Sequence, residues 1–143
     1  MSERKITDAE KAFAREILSR NPFVQLLGIE LVGLEYGEAA CRIMIEEKHL
    51  RAGGFLHGGV TASLIDTVAA FAVASHLEKG ENSVTVDLTL HFLRPVYRGE
   101  IIARAKVLRG GKRLLTVSGE LFNETGELTA TALMTYSKIT IKS

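Results

Sequence analysis

A histidine, two glycines and one carboxylate stand out in the middle of this 143-residue chain. His57-Gly58-Gly59 precedes a stretch, Val60 to Leu77, whose ionisable side chains are Asp66 and His76. The first amides of a helix have no intrahelical partner and lie at the positive end of its dipole, so glycine amides here suit a developing oxyanion. Asp66 has two interpretations: a reactive carboxylate, or a hydrogen-bonded cap for a neighbouring loop.

The stretch after the glycines predicts a long helix that the rest of the chain must cover. Its apolar side chains lie all around the helix, so no polar face is left for water. A membrane span is disfavoured, because the stretch is rich in Ala, Thr and Ser. Asp66 near its middle would also cost ~2.5 to 3.5 kcal/mol on insertion scales. We therefore predict a core helix in a protein that does not enter a membrane.

One short helix and two strands are predicted before the long helix. Thr7-Asp8-Ala9-Glu10 has the form of a capping box, and Asn21-Pro22 ends the helix near Arg20, because the residue before proline avoids the α region. The next elements are two strands, Ile29 to Glu35 and Glu38 to Glu46, joined by a turn at Tyr36-Gly37. A polar loop from Lys48 to Gly54 then leads to the long helix.

Four more strands are predicted after the long helix. In the clearest one, apolar residues at even positions from Val84 to Phe92 alternate with polar ones from Thr85 to His91, which predicts one core face and one polar face. The later strands and turns are Glu100 to Leu108, a hairpin turn at Arg109-Gly110-Gly111-Lys112, Arg113 to Asn123, a turn over Glu124 to Glu127, and Leu128 to Tyr136.

These elements predict an α+β fold in which a long central helix is wrapped by a curved antiparallel sheet of about six strands, with a short N-terminal helix. The turns between the last strands are short, and short turns favour antiparallel pairing. The length suits one domain over residues 1–143.

Charge and cysteine content exclude several classes of protein. The 18 basic and 17 acidic residues give a net charge of +1, which provides no overall field for nucleic acid or an anionic membrane. The single cysteine, Cys41, cannot form an intrachain disulfide, and the N-terminus lacks the apolar run of a signal peptide, so we predict a cytoplasmic protein. Cys41 is predicted to be a small buried side chain.

No metal or redox cofactor is predicted, because the Cys and His residues lack ligand spacing. The histidines outside the motif, His49, His76 and His91, are predicted to be ordinary surface or strand residues.

In this order of elements, the chain resembles the hotdog-fold acyl-CoA thioesterases of the phenylacetate-pathway (PaaI) type. The resemblance covers nearly the whole sequence and rests on four segments: Asn21-Pro22-Phe23, Leu27-Gly28-Ile29, His57 to Asp66, and Val84 to Leu88. A bare His-Gly-Gly is weak, but this one heads a long apolar helix with Asp66 nine residues after His57. The resemblance implies a hotdog fold and hydrolysis of an acyl-CoA thioester to an acid and CoA.

The resemblance also assigns roles in that reaction. The Gly58 amide polarises the thioester carbonyl, and Gly59 contacts the substrate. Asp66 acts as general base on water or as nucleophile on the acyl carbon. A hydroxyl on the following strand orients the water; this is Thr85, or Ser83 if the strand register is shifted by two.

Two loop residues complete the implied site. His57 either braces the loop or contacts the thioester, and a satisfied core histidine is the alternative. Family members commonly carry Asn six residues before the motif histidine, where this chain has Arg51. A guanidinium is longer and charged. Either the loop is rearranged or Arg51 faces an acidic group of the substrate.

Basic residues are predicted to bind the phosphates of CoA. The candidates are Arg94, Arg109, Lys112 and Arg113, of which the last three flank a glycine turn with its own amides. A solvated hairpin tip is the alternative interpretation. Two other functions also fit the fold: a hotdog hydratase or dehydratase acting on acyl thioesters, and a non-catalytic module that binds acyl-CoA.

Helix geometry predicts a homodimer with shared sites. Gly58 and Asp66 are eight residues apart, or ~12 Å along one helix at about 1.5 Å per residue. The attacking oxygen must lie ~3 Å from the carbon whose oxygen the Gly58 amide holds. Two antiparallel helices across a two-fold axis would place Gly58 of one chain level with Asp66 of the other. The resemblance implies the same arrangement, usually as a dimer of dimers, hence a homotetramer.

Overall fold

The structure, a computed structural model, describes residues 4–141. Its elements in chain order are α1 (Asp8–Arg20), α2 (Pro22–Leu27), β1 (Glu30–Glu35), β2 (Glu38–Met44), α3 (Gly58–Ala74), β3 (Glu81–Phe92), β4 (Glu100–Gly110), β5 (Leu114–Phe122) and β6 (Leu128–Thr140). One turn of 3-10 helix, Glu47–His49, lies in the loop before α3. The predicted order of elements is confirmed, with one helix added.

The added helix is α2, which the sequence analysis missed. The predicted capping box of α1 is present: Thr7 Oγ1 accepts from the Glu10 amide at 3.1 Å, and the Glu10 carboxylate accepts from the Thr7 amide at 2.7 Å. Asn21 ends α1, as predicted, but its side chain also accepts from the Val24 amide at 3.3 Å. Pro22 then occupies the first turn of α2, where a missing amide hydrogen costs nothing. The same Asn-Pro pair therefore stops one helix and starts another.

The strands of the described chain form one six-stranded antiparallel sheet in the order β1-β2-β4-β5-β6-β3. The predicted long helix, α3, packs chiefly on β2, β4 and β5. Its side chains Leu64, Ile65, Val68 and Ala69 are fully buried. A long helix wrapped by a curved antiparallel sheet is the hotdog fold, as predicted. Among the helices between residues 4 and 141, none has the length and apolarity needed to cross a membrane.

The alternation predicted for β3 is wrong in its first half. The pairing with β6 shifts between Thr85 and Asp87, so Val86 is an extra, bulged residue. A bulge resets which residues share a face. Thr85 therefore lies on the helix side together with Leu88 and Leu90, which pack against the core. The predicted core residues Val84 and Val86 are instead 43% and 57% exposed.

The hairpin between β4 and β5 carries the predicted basic turn. Gly111 donates its amide to the Leu114 carbonyl at 2.9 Å, and Lys138 of β6 donates its amide to the Arg113 carbonyl at 2.8 Å. This turn therefore lies beside the C-terminal part of β6, which runs four residues beyond the predicted end at Tyr136.

Candidate active site

Asp66 lies half-buried in the middle of α3, where two hydroxyl groups meet one of its oxygens. Thr85 Oγ1 of β3 donates to Asp66 Oδ1 at 2.8 Å. The Tyr136 hydroxyl of β6 lies 2.6 Å from the same Oδ1 and 2.7 Å from the Asp66 carbonyl oxygen. Of the two predicted candidates on β3, Thr85 is the hydroxyl that reaches Asp66 in this chain. Asp66 does not cap a loop in this structure; its hydrogen-bond partners come from two strands of the sheet.

The sequence analysis missed Tyr136 as a hydrogen-bond partner of Asp66. It is only 2% exposed, and burial, followed by its bond to Asp66, raises the pKa of the phenol well above its ordinary value. The phenol therefore remains a hydrogen-bond donor across the physiological range. A signal was available in the sequence: Tyr136 falls on the apolar, core-facing side of the last strand, and a buried tyrosine hydroxyl needs a partner.

The N-terminus of α3 presents the predicted glycine amides. His57 is the N-cap, and its Nδ1 accepts from the Gly59 amide at 2.8 Å, while the Val60 amide bonds to the His57 carbonyl at 2.9 Å. The Gly58 amide makes no hydrogen bond within the described residues. His57 thus braces the helix start, which leaves the Gly58 amide available and occupies that of Gly59.

Gly58 packs against the far end of β3. A Cβ atom placed on Gly58 would lie 3.2 Å from Cζ of Phe92, so glycine allows the strand to come close to the helix start. Within one chain, Gly58 therefore lies beside Phe92, whereas Asp66 lies beside Thr85. The two groups predicted to act on one thioester lie at separate places along β3, in keeping with their ~12 Å spacing on the helix.

The loop before the motif is ordered around Arg51. Its amide donates to the Phe55 carbonyl at 2.9 Å, and its carbonyl accepts from the Gly54 amide at 3.0 Å. The guanidinium lies over the Phe55 ring, 4.6 Å from the centroid, and its Nε donates to the Ala52 carbonyl at 3.2 Å. The exposed Arg51 side chain is therefore folded onto its own loop in this chain.

The predicted basic residues do not form one cluster within the chain. Arg94 follows the Phe92 end of β3, and its guanidinium pairs with the Glu127 carboxylate at 3.3 Å. The hairpin residues Arg109, Lys112 and Arg113 lie beside the opposite end of β6 and make no ion pair within the described part of the chain. Within one chain, Arg94 and the hairpin therefore lie at opposite ends of β6, and the binding of CoA phosphates by these residues remains a prediction.

The other histidines differ from the prediction in one case. His49 is buried, with 1% of its surface exposed. Its Nδ1 accepts from the Glu46 amide at 2.8 Å, and its Nε2 lies 2.8 Å from the Leu27 carbonyl oxygen. It holds the loop before α3 against α2, so the prediction of an ordinary surface or strand residue is wrong for His49. His91 is exposed on β3, as predicted.

The chain is similar to known proteins over most of its length. The profile described as "Thioesterase superfamily" matches residues 53–130, more than half of the chain. Human acyl-coenzyme A thioesterase 13 is 35% identical over 128 residues, covering 87% of this chain and 91% of that protein. Thioesterase HI1161 from Haemophilus influenzae superposes with a TM-score of 0.86 at 25% identity, covering 98% of this chain and 95% of that one. The Escherichia coli PaaI protein superposes with a TM-score of 0.83 at 26% identity, covering 95% of this chain and 100% of that one. The helix-borne carboxylate, the unbonded glycine amide and these matches have one explanation: the chain belongs to the Thioesterase superfamily.

Proposed function

We propose that the protein hydrolyses an acyl-CoA thioester to a free acid and CoA. The observation that carries the proposal is Asp66, a carboxylate on an otherwise apolar helix, held by two hydroxyl donors and left half-buried. A carboxylate in such surroundings is costly unless it is bonded or used. The relative named acyl-coenzyme A thioesterase 13 supports the same substrate class.

The proposed reaction uses Asp66 and the Gly58 amide together. A water oxygen attacks the thioester carbonyl carbon while a water proton passes to Asp66, and the carbonyl oxygen takes up the negative charge beside the Gly58 amide. Collapse of this intermediate breaks the C–S bond, and the thiolate of CoA takes up the proton as it leaves. Direct attack by the Asp66 carboxylate would use the same two groups, but it would expel the CoA thiolate and form a mixed anhydride. Water would then hydrolyse the anhydride, which restores Asp66, releases the free acid and supplies the proton for the thiolate.

The proposal of a site shared between two chains is supported by the exposed edge of the sheet. β3 is the last strand in the order, and no strand of the described chain pairs with its outer side. Exposed backbone on such an edge is a template for another strand. Antiparallel pairing of two β3 strands would bring the Phe92 end of one opposite the Thr85 end of the other. Since Gly58 lies at the first and Asp66 at the second, each site would take one group from each chain.

The hairpin of Arg109, Lys112 and Arg113 is proposed to bind the phosphates of CoA. Its side chains are exposed and unpaired within the described residues, and the turn adds backbone amides. Neutralising the three residues to Gln should raise KM for acyl-CoA with little effect on kcat. Steady-state kinetics with acyl-CoA and with a short thioester lacking the nucleotide provides the control. An equal rise in KM for both substrates would indicate that these residues form a solvated turn and do not bind CoA.

The function is tested with a panel of acyl-CoAs, a reagent for free thiols and the Asp66→Asn variant. Thiol release by the wild type, reduced ~10²-fold or more in the variant, is the expected result. Hydration of an unsaturated acyl group without thiol release would indicate the hydratase alternative, and binding without turnover would indicate a non-catalytic module. An Asp66→Asn enzyme that keeps the wild-type rate would refute the assigned role of Asp66.

A further inference from the structure

The two oxygens of the Asp66 carboxylate have different surroundings. Oδ1 lies 2.8 Å from Thr85 Oγ1 and 2.6 Å from the Tyr136 hydroxyl. Oδ2 makes no hydrogen bond within the described residues. An ionised carboxylate has about four acceptor positions, so two donors on one oxygen leave the other oxygen open to a water or a substrate.

We propose that Tyr136 is a positioning residue which, with Thr85, anchors Oδ1 of Asp66 and thereby assigns the reaction to Oδ2. This inference rests on the proposed function and adds a residue and an atom to it. Oδ2 takes the proton of the attacking water, or forms the bond to the acyl carbon if the carboxylate attacks directly. Oδ1 keeps its two hydrogen bonds throughout, so the carboxylate plane is fixed by the sheet.

The fold explains why the two hydroxyls meet at one atom. Thr85 and Tyr136 are directly opposite partners in the β3–β6 ladder. Side chains at opposite positions of an antiparallel pair lie on the same face and close together. The bulge at Val86 allows Thr85 to share the helix-facing side with Leu88 and Leu90. A regular strand would turn either Thr85 or these two leucines away from α3.

Tyr136 is suited to a fixed position because both ends of its side chain are held. Its ring is buried in the core, and its hydroxyl also lies 2.7 Å from the Asp66 carbonyl oxygen of the helix. Its hydrogen goes mainly to the charged oxygen, since hydrogen bonds to ionised acceptors are the stronger ones. The tyrosine therefore couples the carboxylate to the backbone of α3 and to the sheet at the same time.

The assignment gives the Asp66→Asn variant a definite geometry. Because both hydroxyls donate to Oδ1 in the wild type, we expect the amide oxygen of Asn at the Oδ1 position and its NH₂ group at the Oδ2 position. The variant should fold normally and lose only the reactive atom. A neutron diffraction structure, which distinguishes the amide oxygen from the NH₂ group, would contradict the anchor if it showed the NH₂ group facing the two hydroxyls.

The main test removes each hydroxyl and measures kcat and KM separately. Tyr136→Phe keeps the buried ring and should lower kcat about tenfold or more with KM within about twofold, because a small misplacement of a reacting group is costly. Thr85→Val should act in the same way, and Thr85→Ser, which retains a hydroxyl, should recover most of the rate. Tyr36→Phe is the control, since the Tyr36 hydroxyl makes no hydrogen bond within the described chain and its ring stacks on His76, which follows α3.

The double variant Tyr136→Phe with Thr85→Val leaves Oδ1 without either donor. Its kcat should fall by more than the product of the two single effects, because each single variant still holds Oδ1 once. Wild-type kcat in a folded Tyr136→Phe enzyme would overturn the proposal. If Tyr136→Phe does not fold, the Thr85 pair decides: equal kcat for Thr85→Val and Thr85→Ser overturns the anchor, and recovery by serine supports it. The proposed function fails separately, through an Asp66→Asn enzyme that still turns over at the wild-type rate.

Discussion

At the scale of single residues, burial decides which reactive side chains remain inert. Cys41 of β2 has no exposed surface, and burial raises the pKa of its thiol to about 12. Thiolate, not thiol, is the reactive form. The sequence prediction of a buried structural cysteine is confirmed.

We expect Cys41 not to react with a thiol reagent in the native protein at neutral pH. One thiol per chain should appear when the protein is unfolded in guanidinium chloride, because burial is the cause of its inertness. Absorbance with the reagent, before and after unfolding, measures this directly. It also provides the background for the thiol-release assay, and fast labelling of the native protein would contradict the burial of Cys41.

His76 is a residue whose charge should affect stability. Its ring stacks on Tyr36 with centroids 4.5 Å apart, and a Cβ atom placed on Gly110 would collide with it at 2.6 Å. Burial, followed by the nearby charge of Lys138, lowers the pKa of His76. The unfolded chain therefore binds a proton more readily than the folded chain as the pH falls below ~6.5. Stability is lost on acidification through that range and is retained above it.

Replacing His76 by Phe should weaken this pH dependence while keeping the stack on Tyr36. Urea midpoints measured between about pH 7.5 and 5.5 should fall less for His76→Phe than for the wild type. His91→Phe, at an exposed position on β3, is the control and should keep the wild-type trend. An unchanged trend in His76→Phe would exclude His76 as the cause.

At the scale of elements, one glycine sets the distance between helix and sheet. Gly119 of β5 faces Ile65 of α3, and a Cβ atom there would lie 2.8 Å from Ile65 Cγ2 and 3.0 Å from Met134 Cε. Its backbone is not in the left-handed region, so the requirement is for space alone. Nothing in the sequence pattern indicates this contact, because Gly119 lies inside an ordinary strand pattern.

Gly119→Ala should destabilise the protein by ~1 to 3 kcal/mol through overpacking of the core. Gly33→Ala in β1 is the matched control, since its Cβ would make an ordinary contact of 3.6 Å with Ala40. Free energies of unfolding from urea titrations compare the two. Equal stability of both variants would mean that α3 can move away from the sheet without cost.

At the scale of the whole molecule, the proposed shared site can be tested by mixing chains. Asp66→Asn and Gly58→Val should each be inactive alone, because every site of either homodimer lacks one group. A mixed dimer has one intact site of two, and a random one-to-one mixture contains about half mixed dimers, so about a quarter of the wild-type rate per chain should return. No recovery despite proven subunit exchange would exclude sites shared between chains.

Sedimentation measures the assembly itself. We expect no active monomer, and the family resemblance predicts a dimer of dimers. The exposed apolar side chains of α1 and α2, Phe13, Ile17, Phe23 and Leu26, offer surface for contacts beyond the β3 edge. A fully active monomer would contradict both the dimer and the shared site.

The sequence by itself determined the order of the main elements, the central helix and the places of Gly58 and Asp66 on it. These features are local: a capping box, the periodicity of apolar residues, glycine turns, and a motif at a helix start. Each depends on residues a few positions apart, so a single chain displays it without any knowledge of packing.

Only the tertiary structure decided what surrounds Asp66. Tyr136 is seventy residues away in sequence, and it reaches the carboxylate because β6 pairs with both β3 and β5 beneath α3. The bulge at Val86 reversed the expected face of Thr85, and His49 became a buried link between α2 and the loop before α3. Long-range pairing and bulges depend on which strands meet, and one strand's alternation does not contain that information.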